Sequence, residues 1–94
     1  MHADQLAQHV RPESRPALRA LADALRAVPW TREEIAAAVK RTVAEHGLKM
    51  PQLGIPARLL VFGRTQTPAL EAVLALMPRE VVVHRLAQGL AHAL

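Results

Sequence analysis

The chain has no cysteine among its 94 residues, which excludes disulfides, thiolate metal sites and a cysteine nucleophile, and fits a reducing compartment. Aromatic residues are nearly as scarce. Tyrosine is absent, and Trp30 and Phe62 are the only large rings, so any core has to be built from Leu, Val and Ala. The single serine, Ser14, stands between Pro12 and Pro16 and is a poor place to build a Ser-His-Asp device. The four glycines, at 47, 54, 63 and 89, fall in neither a GxGxxG nor a GxxxxGK spacing, so no phosphate-cradling loop for nucleotide hydrolysis is expected. No apolar run approaches the ~20 residues of a membrane span, and the opening His2, Ala3, Asp4, Gln5 lacks the basic-then-apolar order of a signal peptide. The expected address is the cytoplasm, with no membrane partner.

What the chain does have is 51% apolar residues, in a length that suits one compact core. Its formal charge of +4 rests on ten Arg and only two Lys, and the planar fork of Arg matches phosphates and base edges. Five histidines (His2, His9, His46, His84, His92) invite a metal reading, yet none forms HxxxH or HExxH, and His84 and His92 are too far apart in sequence to share an ion. No metal site is expected.

Met1 to Val10 reads as the tail of a preceding helix or a boundary, cut off by Pro12 and Pro16. From Pro16, the residues Leu18, Leu21, Ala22, Leu25 and Val28 recur at helical spacing up to Pro29. Thr31-Arg32-Glu33-Glu34 has the form of a capping box, with the Thr31 hydroxyl on the Glu34 amide and the Glu34 carboxylate on the Thr31 amide. The helix it opens should bury Ile35, Val39, Val43 and the stem of His46, and end at Gly47. Leu48 to Ile55 reads as a connector, after which Pro56 can occupy the first turn of a third helix. Leu59, Leu60, Val61 and Phe62 form a continuous apolar run that periodicity alone leaves open between buried strand and buried helix. Thr67 and Pro68 have the form of an N-cap with proline at the first helical position, leading into Leu70, Val73, Leu74 and Met77. Pro78 breaks that helix. A last segment from Arg79 carries Val82, Leu86, Leu90 and Leu94 at helical spacing, although the triplet Val81-Val82-Val83 is costly in a helix. The sum is an all-α bundle or cage of about five helices joined by short connectors. Between Lys49 and Thr67 the chain carries Lys49, Arg58 and Arg64 with no acid, so positive charge is concentrated there.

The ordered set Lys49-Met50-Pro51, Pro56-Ala57-Arg58, the apolar run to Phe62, Gly63, and Thr67-Pro68-Ala69-Leu70 resembles the end region of glutamyl-tRNA synthetases. The likeness extends upstream through Trp30-Thr31 to His9-Val10-Arg11-Pro12 and downstream to Arg79-Glu80 and Arg85-Leu86, so it covers almost the whole chain. This resemblance to the C-terminal anticodon-binding domain of that class I family implies a helical reading of Leu59 to Phe62 and of Val81 to Val83. It implies one anticodon-binding domain over residues 1–94, with 1–12 as tail or boundary, 16–47 as a helical hairpin and 48–94 as the tRNA-contacting part. It further implies that Arg58 and the turn formed by Thr67, Pro68 and Leu70 read anticodon bases. Arg donors, helix N-terminal amides and an apolar platform can all read the exposed edges of single-stranded loop bases. A structural ion-pair role is the alternative for Arg58. Lys49 and Arg64 read as sequence-blind phosphate contacts, or as solvated charges. Trp30 reads as a packing staple rather than a base stacker.

Two positions depart from the family pattern: Ile55 stands where a polar Gln is frequent, which removes a potential base contact, and Pro78 stands where Gly is usual. The implied partner is glutamate tRNA, bound by a monomer. The fragment itself would not be an enzyme and would hold no cofactor. ATP, Mg and the ligation of glutamate to tRNA belong to an absent N-terminal catalytic domain. The rival reading is a helical protein-protein interaction or dimerisation module. A DNA-binding helix-turn-helix is disfavoured because no helix carries the polar face it needs.

Overall fold

In the computed structural model of the chain, residues 11–93 are described, with side chains through Leu90. Met1 to Val10, with His2 and His9, therefore lie outside the described residues, as do the side chains of His92 and Leu94. Among the described residues there are five α-helices and no strand: α1 Arg15–Ala27, α2 Arg32–Glu45, α3 Met50–Phe62, α4 Leu70–Ala75 and α5 Arg79–Ala93. The fold is all-α. Helix α1 packs on α2 and α5, α4 lies on α2, and α5 also crosses α3.

The core is aliphatic, as so ring-poor a composition requires. Leu18, Leu21, Leu25, Ile35, Leu53, Leu59, Leu74, Val82 and Leu86 are fully buried, while Trp30 and Phe62 pack at its margin. Helix α1 buries Leu18, Leu21, Ala22 and Leu25 as one stripe, whereas Val28 is the residue after its last turn and only half-buried. Helix α3 buries Leu53, Gly54, Pro56, Ala57, Leu59, Leu60 and Val61, close to its whole circumference. A helix apolar all round has no amphipathic period, which is why Leu59 to Phe62 was ambiguous as a string of letters.

Three local readings are corrected. The Thr31 hydroxyl does accept from the Glu34 amide at 3.2 Å, but the Thr31 amide donates to the Pro29 carbonyl at 2.9 Å, so the reciprocal half of the capping box is taken by the backbone. On the same helix the inner face is Ile35, Ala38, Val39 and Thr42, with Val43 half-buried. His46 is exposed instead of packed, its Nδ1 lying 3.0 Å from the Thr42 carbonyl. The exit matches expectation: Gly47 is left-handed (φ +62°), and the amides of Gly47 and Leu48 reach back to the carbonyls of Ala44 and Val43.

The third correction concerns where α3 begins. It starts at Met50, inside the expected connector, and Pro56 sits within the helix rather than in its first turn. Pro51 supplies the proline of the first turn instead, and the Gln52 side chain accepts from the Lys49 amide at 2.7 Å to close the N-terminus. Pro56 has no amide proton for the Gln52 carbonyl four residues earlier, a defect that normally kinks or breaks a helix. Here the hydroxyl of buried Ser14 donates to that carbonyl at 3.1 Å. A partner from the entrance of α1 thus repairs what local rules forbid, and Ser14 makes no side-chain cap to its own helix.

Candidate functional site

Helix α3 and the turn that follows it position the residues singled out in the sequence. An arginine on a helix lays its side chain back over the preceding turn. Arg58 does so onto Gly54, and a Cβ built on Gly54 would stand 2.8 Å from its Nη1. Past Phe62, Gly63 takes a left-handed conformation (φ +71°), its amide donating to Leu59, and the chain doubles back. That return brings the Thr67 hydroxyl to Arg58, whose Nε donates to Thr67 Oγ1 at 2.8 Å. The hydroxyl proton in turn goes to the Pro68 carbonyl, also at 2.8 Å.

Thr67 and Pro68 therefore do not cap and open α4 as expected. Helix α4 starts at Leu70, and its first carbonyl acceptor is that of Ala69, which receives the amides of Ala72 and Val73. The Thr67 hydroxyl is engaged instead by Arg58, in a charge-assisted bond, and by the Pro68 carbonyl. The turn is built around the arginine.

What remains for a ligand is clear from the donor inventory. Arginine carries five N–H donors, of which Nε–H is committed to Thr67, so the two terminal nitrogens remain as a half-buried fork. Among the described residues the only ion pair is Arg11–Glu13, so no carboxylate neutralises Arg58. The ion-pair reading of Arg58 is not what the geometry offers. Leu70 is only 4% exposed and belongs to the core, so its side chain provides no apolar platform; toward a ligand it offers main chain and a fixed turn. Thr67 is half-buried and Pro68 exposed. Ile55, one turn before Arg58 on the same helix, lines a shallow concavity of about 200 Å³ with Arg11, Pro51 and Gln52. Lys49 and Arg64 are exposed and flank α3, one before it and one after it. The length of the 13-residue α3 sets Lys49 and Arg64 roughly 20 Å apart.

Several residues with defined work carried no local signal in the sequence. Arg79 donates from Nη1 to the Arg26 carbonyl and from Nη2 to the Val28 carbonyl, at 2.8 and 2.7 Å, while its guanidinium lies 5.3 Å from the Trp30 ring centre. Trp30 donates to the Met77 carbonyl at 2.7 Å and is a packing staple, as read. Arg85 donates to the Val61 carbonyl at 2.8 Å near the end of α3. Gly54 is a third such residue. A glycine four positions before an arginine on one helix is the only trace it leaves in the sequence. Among the described residues no group of three His, Asp or Glu side chains could hold a metal ion, and no helix is long and apolar enough to cross a membrane.

Against this geometry stand the relatives. A family model described as an anticodon binding domain matches residues 1–90. The chain belongs to the anticodon binding domain family. It is 60% identical over 89 residues to a protein of Burkholderia multivorans named glutamate–tRNA ligase, a match covering 95% of this chain and 19% of that protein. Proteins of the same name from Burkholderia cenocepacia and Paraburkholderia xenovorans are each 57% identical over the same share. The chain thus spans about a fifth of the length of the ligases it matches, and the part it matches is an anticodon-binding domain.

Proposed function

We propose that this chain grips the anticodon loop of glutamate tRNA, as the C-terminal domain of a cytoplasmic glutamate–tRNA ligase whose remaining part joins glutamate to the tRNA with ATP and Mg. The observation that carries this reading is the Arg58–Thr67 pair. A loop base displays its pairing edge to whatever donors are held in register, and a guanidinium anchored through Nε leaves its two terminal nitrogens available as a bidentate donor. Thr67 holds the Nε side of that fork, and Leu70 ties the turn into the core. Lys49 and Arg64, solvated and unpaired at either end of α3, supply phosphate contacts that register the loop without reading it. The domain acts as a monomer and does no chemistry of its own.

The test is filter binding of the 94-residue chain to glutamate tRNA transcripts, one native and three each altered at one anticodon base. Discrimination among the four is expected. Arg58→Ala should cost about 1–3 kcal/mol on the native transcript and remove the preference at one base, whereas Lys49→Ala should weaken all four alike. Equal binding of all four by the wild type, or an Arg58→Ala variant altered only in melting temperature, would overturn the reading.

A further inference from the structure

We infer that Gly54 is a positioning residue for recognition: the missing side chain at 54 is the seat of the Arg58 guanidinium. The inference rests on the proposed reading of Arg58. Gly54 is buried within α3 and has ordinary helical backbone, so no turn or positive φ calls for glycine there. A glycine inside a helix weakens it relative to alanine, so the position needs another reason. A Cβ at 54 would meet a single neighbouring group, the Arg58 side chain, with Nη1 at 2.8 Å and Cζ at 4.0 Å. The space a Cβ would fill is the space the guanidinium occupies.

Two contacts therefore define the arginine. Thr67 Oγ1 holds Nε from the loop side, and the bare Cα of Gly54 receives Nη1 from the helix side. Both are needed to fix a planar group, because a single hydrogen bond at Nε leaves it free to swing about that point. A methyl group at 54 lifts Nη1 from its seat. The displaced atoms are the far end of a flexible side chain, so the rest of the fold is undisturbed while the fork no longer faces in one direction. Stability and recognition consequently move in opposite senses on Gly54→Ala, a pattern that an ordinary packing glycine does not produce.

The experiment compares wild type, Gly54→Ala and Arg58→Ala, with melting temperature and binding to the native and three altered transcripts measured on the same preparations. Gly54→Ala is expected to melt at or above the wild-type temperature, yet to lose at least about fivefold of the preference at the base that Arg58→Ala affects, with the other two preferences retained. Thr67→Val should lose the same preference by releasing the other contact. If Arg58→Ala changes discrimination and Gly54→Ala does not, the inference about Gly54 fails while the anticodon reading stands. If Arg58→Ala changes nothing, the reading beneath it fails. A Gly54→Ala protein that melts lower and loses all binding in proportion is a packing defect and also overturns the inference.

Discussion

Beyond the aliphatic core, several polar side chains stabilise this domain by reaching carbonyl groups that helices leave without partners. Arg79 covers two at the end of α1 and stacks on Trp30. Arg79→Ala should lower the unfolding free energy by about 2 kcal/mol, the order expected for losing charge-assisted hydrogen bonds and a cation–π contact together. Urea denaturation followed by the fluorescence of Trp30, the sole tryptophan, measures it. Glu13 illustrates the smaller end of the range. Its carboxyl is held below the usual carboxylate range, first by its own backbone amide and then by Arg11 Nε at 2.9 Å. A folded pKa below the unfolded one adds stability above the unfolded value and loses it as pH falls through the folded one. Both partners are largely exposed, so Glu13→Gln should destabilise only slightly at neutral pH and not at all in acid, as urea melts at a series of pH values can check. At this scale the sequence was legible for some residues that act on their own neighbours: the Thr31 hydroxyl cap and the left-handed Gly47 were both readable. Arg79 and Ser14 were not, because their partners lie 53 and 38 residues away and no local rule links them.

Helices with an apolar stripe and local terminators were legible as elements, whereas α3, apolar nearly all round, and the valine triplet of α5 were read as helical only through the family resemblance. The exact starts of helices were not legible. Pro56 looked like a beginning because proline is costly inside a helix, and the cost is met by a hydroxyl from another element. Thr67-Pro68 looked like a cap because nothing in the letters reveals that Arg58 takes the hydroxyl. The first of these makes a sharp prediction about coupling. Ser14→Ala should cost about 1–2 kcal/mol by stranding the Gln52 carbonyl. In a Pro56→Ala background, where residue 56 regains its amide proton, the same change should cost much less. A double-mutant cycle reads the difference, and additive costs would separate Ser14 from the proline defect. The crossing of α3 and α5 depends on Gly89 in a similar way. A Cβ there would collide with Leu60 Cδ2 and stand 3.2 Å from its Cγ, both inside the packed core. Gly89→Ala should therefore destabilise by about 1–3 kcal/mol despite its better helix propensity, the opposite of the outcome expected at Gly54. Thermal melts of the two variants side by side make that comparison.

For the whole molecule, the charge of +4 and its arginine bias set how binding responds to salt. Each single-stranded phosphate contact contributes about −0.7 to the slope of log K against log salt, so Lys49→Ala and Arg64→Ala should each flatten the slope by about that amount and leave base preference intact. Titrations at several salt concentrations distinguish these from Arg58→Ala, which should change preference more than slope. The arginines of α5 belong to a different account. Arg79 and Arg85 are on the last helix, yet the carbonyls they cover belong to the ends of the first and third, 53, 51 and 24 residues earlier. During synthesis those helix ends emerge from the ribosome long before their donors do. Until α5 has packed, those two helix ends are left to water, so the last helix completes hydrogen bonding that the first and third cannot complete for themselves.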